Sequence, residues 1–255
     1  SFTTRAYRPL VGMLVANALG SEVDSGSSPN FTHVMELTRP LPWLTIFRRF
    51  GLAGTINRVR DAKIQTLRLS WEENGPLMVA VNGVATVFDR PASYTAGANI
   101  IGSQDYYSPV GGTFKYSATT GAPATASVKG GFVELVNAAE ADFYSGSLPA
   151  GGVSDNSFSA SMGITVRPDD LTAWNAMVDA AAAGTPFYGS AELNFTSGAH
   201  TMKVEAGRVG FVPTEIAATG GGTAWETELG GACYTPSGAA GPVKVTIADN
   251  IASHL

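Results

Sequence analysis

Three histidines and one cysteine are the side chains of this sequence best suited to metal or nucleophilic chemistry. His33, His200 and His254 lie far apart, and none belongs to a metal-ligand spacing such as HExxH or HxH. We therefore expect each of them to be a surface or strand histidine. Cys233 has no His or Lys near it in sequence that would lower its pKa, so a buried, inert thiol is expected.

Motifs for phosphate binding or acyl transfer are absent from the sequence. It contains no nucleophile elbow, no phosphate loop and no dinucleotide fingerprint. The glycine run 220–222 lies between predicted strands, where no helix dipole is available to hold phosphate. Asp169 and Asp170 are adjacent, which suits helix capping better than paired acid-base work. We predict no catalytic residue, no cofactor and no metal, and hence a protein that is not an enzyme.

The clearest structural signal is a strand, turn, strand pattern from Ala62 to Asp89. Apolar residues alternate with polar ones on both arms, as in a sheet with one buried face. The apolar positions are Leu67, Leu69, Trp71, Leu77, Val79 and Val81. Asn74-Gly75 between the arms can supply the positive φ of a tight turn. The hairpin predicts β structure and says nothing about function.

Composition extends this prediction to the whole chain. The 255 residues include 30 glycines and only 15% charged residues, which is typical of many short strands joined by turns. The segment 157–167 alternates strongly, and Pro168 with two acids predicts a helix over residues 169–183 that ends at Gly184. We predict a mainly β protein with one packed helix, built from β-sandwich or β-barrel units.

The chain divides into three predicted segments. Residues 1–30 are an N-terminal arm and linker, and residues 31–130 are a first β unit with a long docking loop at about 90–126. Residues 131–255 are a second β unit that contains the helix. The apolar run 10–19 is short for a signal peptide and far below the roughly 20 residues of a membrane span, so an arm or strand is expected there.

A second stretch of the sequence echoes the hairpin. Arg208 to Ala232 can be aligned with the segment that starts at Lys63, since each begins with a basic and a β-branched residue. Each then turns at glycine and returns to a glycine step. A genuine duplication is one explanation, and a chance likeness between two hairpins is the other.

Charge is distributed unevenly around the net value of −5. Residues 1–130 carry 12 Lys and Arg against 8 Asp and Glu, whereas residues 131–255 carry 4 against 13. Net acidity argues against a protein that grips nucleic acid through phosphates. Two halves of opposite charge suit head-to-tail contacts between copies of the chain. The alternative is that the two charged surfaces are unrelated and simply face solvent. The candidate contact residues are Arg48, Arg49, Arg68, Tyr94, Ile100, Ile101, Tyr106 and Tyr107, of which the last five are apolar residues of the predicted loop.

The stretch from Lys63-Ile64 to Gly83 resembles the hairpin of the major tail tube proteins of tailed phages (siphophages). The flanking segments 43–49 (WLTIFRR) and 242–247 (PVKVTI) look like the same family's neighbouring pieces. The likeness is one of pattern and order over most of residues 30–250. It implies a β-sandwich with a packed helix, six units in a ring around a lumen, and rings stacked head to tail. Double-stranded DNA would pass through the lumen without specific binding.

The chain is long for one tube unit. If it carries two units, a trimer would imitate a hexameric ring, and a hexamer of whole chains is the alternative. The resemblance implies a virion tail location after assembly in the bacterial cytoplasm, contacts with copies of itself and with other tail proteins, and no membrane span. A carbohydrate-binding or adhesin-like β-sandwich, with the Tyr-rich loop as a sugar-stacking platform, is the competing function.

Overall fold

The computed structural model describes residues 1–50, 55–91, 105–117, 124–125, 128–142, 152–166, 172–184, 188–213 and 227–255. The helices are α1 (Arg8–Leu19) and α2 (Thr172–Ala182). The strands are β1 (Phe2–Arg5), β2 (Val23–Ser27), β3 (Asn30–Met35), β4 (Leu44–Phe50), β5 (Thr55–Trp71), β6 (Met78–Asp89), β7 (Ser108–Ser117), β8 (Ala124–Thr125), β9 (Val128–Val136), β10 (Glu140–Asp142), β11 (Gly152–Ser154), β12 (Ser159–Val166), β13 (Gly189–Ser197), β14 (His200–Pro213), β15 (Thr227–Cys233) and β16 (Lys244–Asp249).

The prediction of a mainly β fold is confirmed. Fourteen strands belong to one sheet, whose main path is β1-β6-β5-β9-β12-β15-β14-β13-β7-β8. Neighbours along this path are antiparallel. β16 and the β2–β3 hairpin join the sheet at β14, and β4 pairs with β5. The strands of the two predicted β units therefore meet in one hydrogen-bonded sheet, through β9.

The predicted hairpin is present as β5 and β6. Its six apolar positions from Leu67 to Val81 are all buried, so the predicted core face is confirmed. The turn differs from the prediction, because neither Asn74 nor Gly75 has a positive φ. Residues 72–77 make a longer connection, in which the Gly75 N–H donates to the Glu72 carbonyl at 3.1 Å.

Two further predicted elements are found. The alternating segment is β12, with Ala160, Met162, Ile164 and Val166 buried. The predicted helix is α2, and Gly184 lies just beyond its end with a φ of 64°, in the left-handed region that favours glycine. The residues expected to start that helix, 168–171, lie outside the described part of the chain.

Residues 8–19 form a helix, so the prediction of an arm or strand is wrong there. Pro9 lies in the first turn, where its missing N–H breaks no bond, and Gly20 caps the other end at a φ of 95°. Asn17, which seemed to interrupt the apolar run, donates its side-chain amide to the Met13 carbonyl at 2.8 Å. Because most of α1 is buried, it lacks the one-sided pattern that reveals a surface helix.

Five elements recur in the same order in the two halves of the chain. The first repeat is β1–α1–β4–β5–β6, and the second repeat is β12–α2–β13–β14–β15. In each repeat the last three strands form an antiparallel meander, and the first strand pairs with the last. In each, the helix packs against the middle strand of the meander. The sequence echo between Lys63 and Arg208 falls on these two middle strands, β5 and β14.

The predictions for Cys233 and the three histidines are confirmed in part. Cys233 is buried as predicted, and burial raises the pKa of its thiol to about 12. His33 and His200 lie on β3 and β14, as expected of strand histidines. The prediction is wrong for His254, which is buried and lies outside any strand, because it packs against the ring of His33 with the centroids 4.6 Å apart.

Candidate assembly surfaces

One face of the sheet is buried, and the other is polar across seven neighbouring strands. Residues directly opposite each other on paired strands point to the same face. One such row crosses β1, β6, β5, β9, β12, β15 and β14, and it consists of Thr3, Ala80, Arg68, Glu134, Ser161, Ala232 and Gly210. The side of the sheet that carries this row is called the polar face below.

The polar face carries an ion pair formed within the chain. Arg68 lies 3.7 Å from Glu134, and both side chains are partly exposed. The Arg68 guanidinium also lies over the ring of Phe132 at 4.0 Å. Gly163 makes room for that ring, because a Cβ there would come within 2.6 Å of a Phe132 ring carbon. The centre of the polar face therefore combines small residues, the Phe132 ring and the Arg68–Glu134 pair.

A three-stranded ribbon extends from the first repeat. It consists of β4, the first half of β5 and the second half of β6. Residues 55–62 of β5 pair with β4, whereas residues 66–71 pair with β9 in the main sheet. Several large apolar side chains at the ribbon are exposed: Trp43 by 54%, Ile46 by 38%, Phe47 by 38% and Phe88 by 63%.

An apolar groove of about 760 Å³ runs between this ribbon and the N-terminal elements. Its lining comes from β1, α1 and all three ribbon strands, and includes Phe2, Leu14, Leu44, Ile46, Val59 and Phe88. A contiguous apolar patch that is exposed to solvent often marks a surface that binds another molecule. This ribbon groove is the best candidate in the described residues for a contact with another chain.

The arginines of the ribbon are partly neutralised by Asp89. Arg58 lies directly opposite Asp89 and donates to both carboxylate oxygens, at 2.8 and 2.6 Å. Arg60 lies 3.2 Å from the same carboxylate. The hydrogen bond from Arg58 lowers the pKa of Asp89 below its usual value. This part of the basic region is thus an internal ion-pair cluster at the ribbon surface.

Lys63 is a buried cation at the base of the ribbon. Its ammonium lies 2.8 Å from Asp155, with the two side chains only 5% and 13% exposed. It also lies 4.3 Å from the centre of the Trp43 ring. Burial alone would raise the pKa of Asp155, but hydrogen bonds from Lys63 and from the Leu41 N–H hold it below its usual value. The pair links the ribbon to the segment after β11.

The second repeat contains an equivalent cation–aromatic pair. The Arg208 guanidinium lies 4.0 Å from the centre of the Tyr188 ring. Tyr188 directly precedes β13, as Trp43 directly precedes β4. In both repeats the aromatic residue precedes the cation by 20 positions. The sequence comparison detected the two cations, but their aromatic partners differ in type and became visible only as contacts.

The predicted contact residues have scattered positions. Arg68 is on the polar face and is engaged within its own chain. Arg48 and Arg49 lie on β4 of the ribbon, and their side chains are outside what the structure describes. Tyr94, Ile100 and Ile101 also lie outside the described residues.

The remaining two predicted contacts are tyrosines that pack within the chain. Tyr106 is half-buried, and its ring makes an edge contact with Tyr7 at 6.4 Å. Tyr107 is fully buried, and its main chain bonds to Ala6 and Leu77 at 3.0 and 2.8 Å. Burial raises the pKa of the Tyr107 hydroxyl. These residues therefore dock the start of β7 onto β1 and β6.

No protein-family model matches the chain, and no curated protein sequence matches it. Of the helices in the described residues, neither is long and apolar enough to cross a membrane. The two repeats, the polar face and the ribbon groove are therefore the features that bear on function.

Proposed function

We propose that this protein is a structural virion component, a tail tube subunit that polymerises into stacked rings and forms a conduit for double-stranded DNA. The observation that carries the proposal is the repetition within one sheet. Two copies of a strand–helix–three-strand unit are joined through β9, which pairs with β5 of the first repeat and with β12 of the second, so the chain itself already places two such units side by side in one sheet.

The free edge of β1 supports continuation of the sheet between chains. Its counterpart in the second repeat, β12, has partners on both edges, β15 and β9. Within the described residues, β1 has only β6 beside it. An open edge with unpaired N–H and carbonyl groups accepts a further strand readily. A second copy of the chain is the occupant whose geometry matches, since the internal junction supplies the template.

A ring built in this way contains two units from each chain. Three chains then provide six units, and the rotation between the repeats within a chain would equal the rotation between chains. The ribbon groove and the exposed Phe88 supply apolar surface for contacts between neighbouring subunits or rings. Closed rings that stack would bury both the open edge of β1 and the apolar surface of the ribbon groove.

The polar face suits the inner wall of a conduit. Its centre carries small residues beside the Phe132 ring, and Arg68 is paired with Glu134. DNA binds a surface mainly through cations that neutralise phosphates. A wall on which Arg68 is already paired, in a protein of net charge −5, would therefore hold DNA weakly and let it move. The role requires no catalytic group.

Electron microscopy of the purified, untagged protein tests the proposal. We expect rings or tubes with a central lumen, assembled as protein concentration rises. A stable monomer at high concentration that binds glycans on an array would contradict the proposal and favour the carbohydrate-binding alternative. Of the tyrosines on which that alternative depends, Tyr107 is already packed in the core.

A further inference from the structure

A cluster of two imidazoles and a carboxylate lies inside the protein, away from the surfaces described above. His33 comes from β3, Asp249 ends β16, and His254 follows it in the segment 250–255. The three residues are 0%, 2% and 8% exposed. The Asp249 carboxylate lies against both rings, with Oδ1 3.3 Å from His33 Nε2 and Oδ2 3.3 Å from His254 Nε2.

The orientation of the His33 ring is fixed by acids on its other side. Nδ1 makes a 2.7 Å hydrogen bond with Asp24 Oδ1 and lies 3.0 Å from Glu22 Oε1. An ionised carboxylate can only accept a hydrogen bond, so Nδ1 carries a proton. The other nitrogen, Nε2, faces the carboxylate of Asp249. It can ligate a metal ion only when it carries no proton.

Three buried atoms in this cluster have no hydrogen-bond partner: His33 Nε2, His254 Nε2 and Asp249 Oδ2. Their 3.3 Å contacts are long for hydrogen bonds between an imidazole and a carboxylate. Buried polar atoms are almost always satisfied, so three orphaned atoms at one point indicate a missing partner. A cation held by the Asp249 carboxylate would lie close to the two ring nitrogens, since each is 3.3 Å from a carboxylate oxygen.

We propose that His33, His254 and Asp249 bind one divalent transition-metal ion, with Zn²⁺ as the best fit. Imidazole nitrogens and a carboxylate oxygen are ligands that zinc binds at about 2.0 to 2.2 Å. Two ligands at that distance from a tetrahedral centre lie roughly 3.3 Å apart. Both imidazole nitrogens have this separation from the Asp249 carboxylate. Water would complete the coordination.

The surroundings are those of a metal-ligand histidine. A ligand imidazole usually donates its other N–H to a carboxylate, which fixes the ring and raises its basicity. Asp24 has this position for His33. Glu22 positions the other histidine, because its carboxylate accepts the main-chain N–H groups of His254 and Leu255 at 2.9 and 2.7 Å. Donor atoms of Glu22, His33 and His254 lie within 4.8 Å of one another.

Gly12 provides the space for the second ligand. It lies inside α1, where glycine is an unfavourable residue. A Cβ at this position would overlap the His254 ring. The ion would therefore fasten the segment 250–255 to β3 and β16, where that segment packs against α1. It would be a structural centre.

Metal binding can be measured directly on the full, untagged chain. The protein is treated with a chelator, dialysed, and titrated with Zn²⁺ and with Co²⁺. We expect about one ion per chain, a visible Co²⁺ absorption spectrum typical of nitrogen and oxygen ligands, and a higher Tm with Zn²⁺. His254→Ala should lower the affinity at least 100-fold, and Asp24→Asn should lower it 10- to 100-fold as loss of an outer-shell partner does.

Asp142→Asn is the matched control, because Asp142 lies on β10 in the separate two-stranded sheet, away from the cluster. It should bind metal like the unmodified protein. His254→Ala is preferred over changes at the fully buried His33, and circular dichroism verifies its fold. Absence of stoichiometric binding by the unmodified protein would overturn the proposal. Equal affinity of His254→Ala and the unmodified protein would also overturn it.

Discussion

Lys63 and Asp155 show how a single pair of residues secures the base of the ribbon. Removing one partner of a buried ion pair leaves an uncompensated charge, which typically destabilises a protein by about 3 to 5 kcal/mol. Asp155→Asn should therefore lower the free energy of unfolding by about 3 kcal/mol at pH 7. Urea denaturation of the monomer measures this, and Asp89→Asn, at an exposed pair, is the control that should have a much smaller effect.

The same pair predicts a pH dependence. The pKa of Asp155 is lower in the folded protein than its usual value, so its contribution is fully present above the unfolded pKa of about 3.9 and is lost as pH falls through the folded pKa. The difference in stability between the unmodified protein and Asp155→Asn should therefore be constant from pH 7 to pH 5. It should shrink below about pH 4. A difference that stayed the same at pH 3 would contradict this assignment.

Gly12 and His254 should be energetically coupled. Gly12→Ala adds a methyl group that overlaps the His254 ring, so it should destabilise the protein despite the better helix propensity of alanine. In a His254→Ala background the overlap is gone, and the same change should stabilise α1 by up to about 1 kcal/mol. A double-mutant cycle by thermal unfolding measures the coupling. If Gly12→Ala had the same effect in both backgrounds, the position of the His254 ring would not require a glycine at residue 12.

Sequence reasoning at the residue scale succeeded for the core and failed for polar contacts. The buried side of the hairpin could be predicted because strand periodicity dictates which side chains share a face. Trp43 and His254 could not be assigned, because their partners Lys63 and His33 are 20 and 221 positions away. The type of a side chain does not determine which residues distant in sequence it will contact.

The ribbon is the element that should dominate contacts between copies. Phe88→Asp places a charge on a side chain that is 63% exposed, so the monomer's unfolding free energy should change by no more than about 0.5 kcal/mol. Ring formation should fall at least tenfold, since apolar surface in the ribbon groove is lost. Val23→Asp is the control, because Val23 is 65% exposed on the distant β2. Sedimentation velocity compares the two variants.

The edge of β1 can be blocked without breaking its pairing with β6. Ala6 donates its N–H to the Leu77 carbonyl at 2.8 Å, and alternation turns the Thr4 N–H to the same side and the Thr3 N–H outwards. Thr3→Pro removes only an outward donor and should abolish rings while leaving the monomer stable. Thr4→Pro removes a donor to β6 and should destabilise the monomer by about 1 kcal/mol or more. Normal ring assembly by Thr3→Pro would exclude this edge as the junction.

Elements differed in how well they could be predicted. β5, β6, β12 and α2 carry one-sided patterns, and each was predicted close to its observed place. α1 carries no such pattern, because it is apolar on nearly every side and contains Gly12 and Asn17. Gly12 packs against His254 far along the chain, and Asn17 donates to the Met13 carbonyl one turn back in the same helix.

At the scale of the whole molecule, the two repeats predict the number of chains in a ring. If each repeat is one unit of a six-unit ring, native mass spectrometry of the smallest closed assembly should give three chains. Electron microscopy should show six-fold features at low resolution that become three-fold at high resolution, because the repeats differ in their inserted elements. Six chains per ring would refute the duplicated-unit interpretation and leave the tube proposal standing.

The mainly β fold was predictable from composition and alternation, whereas the order of strands in the sheet was not. The hairpin echo pointed to the middle strands of both repeats, β5 and β14. It did not reveal that β1 pairs with β6 as β12 pairs with β15, since those pairings join strands separated by other elements. Hydrogen bonding between distant strands is decided by packing of the complete chain.

The contacts of Glu22 with residues 254 and 255 also bear on how the protein folds. They join positions 232 and 233 residues apart, and Arg8 similarly reaches Asn250 across 242 residues. Proteins rich in such long-range contacts fold slowly, because distant segments must meet before the contacts can form. A ribosome-bound chain cannot complete the packing around α1 until residue 254 has emerged. Contact order thus delays completion of the packing around α1 until synthesis has passed that point.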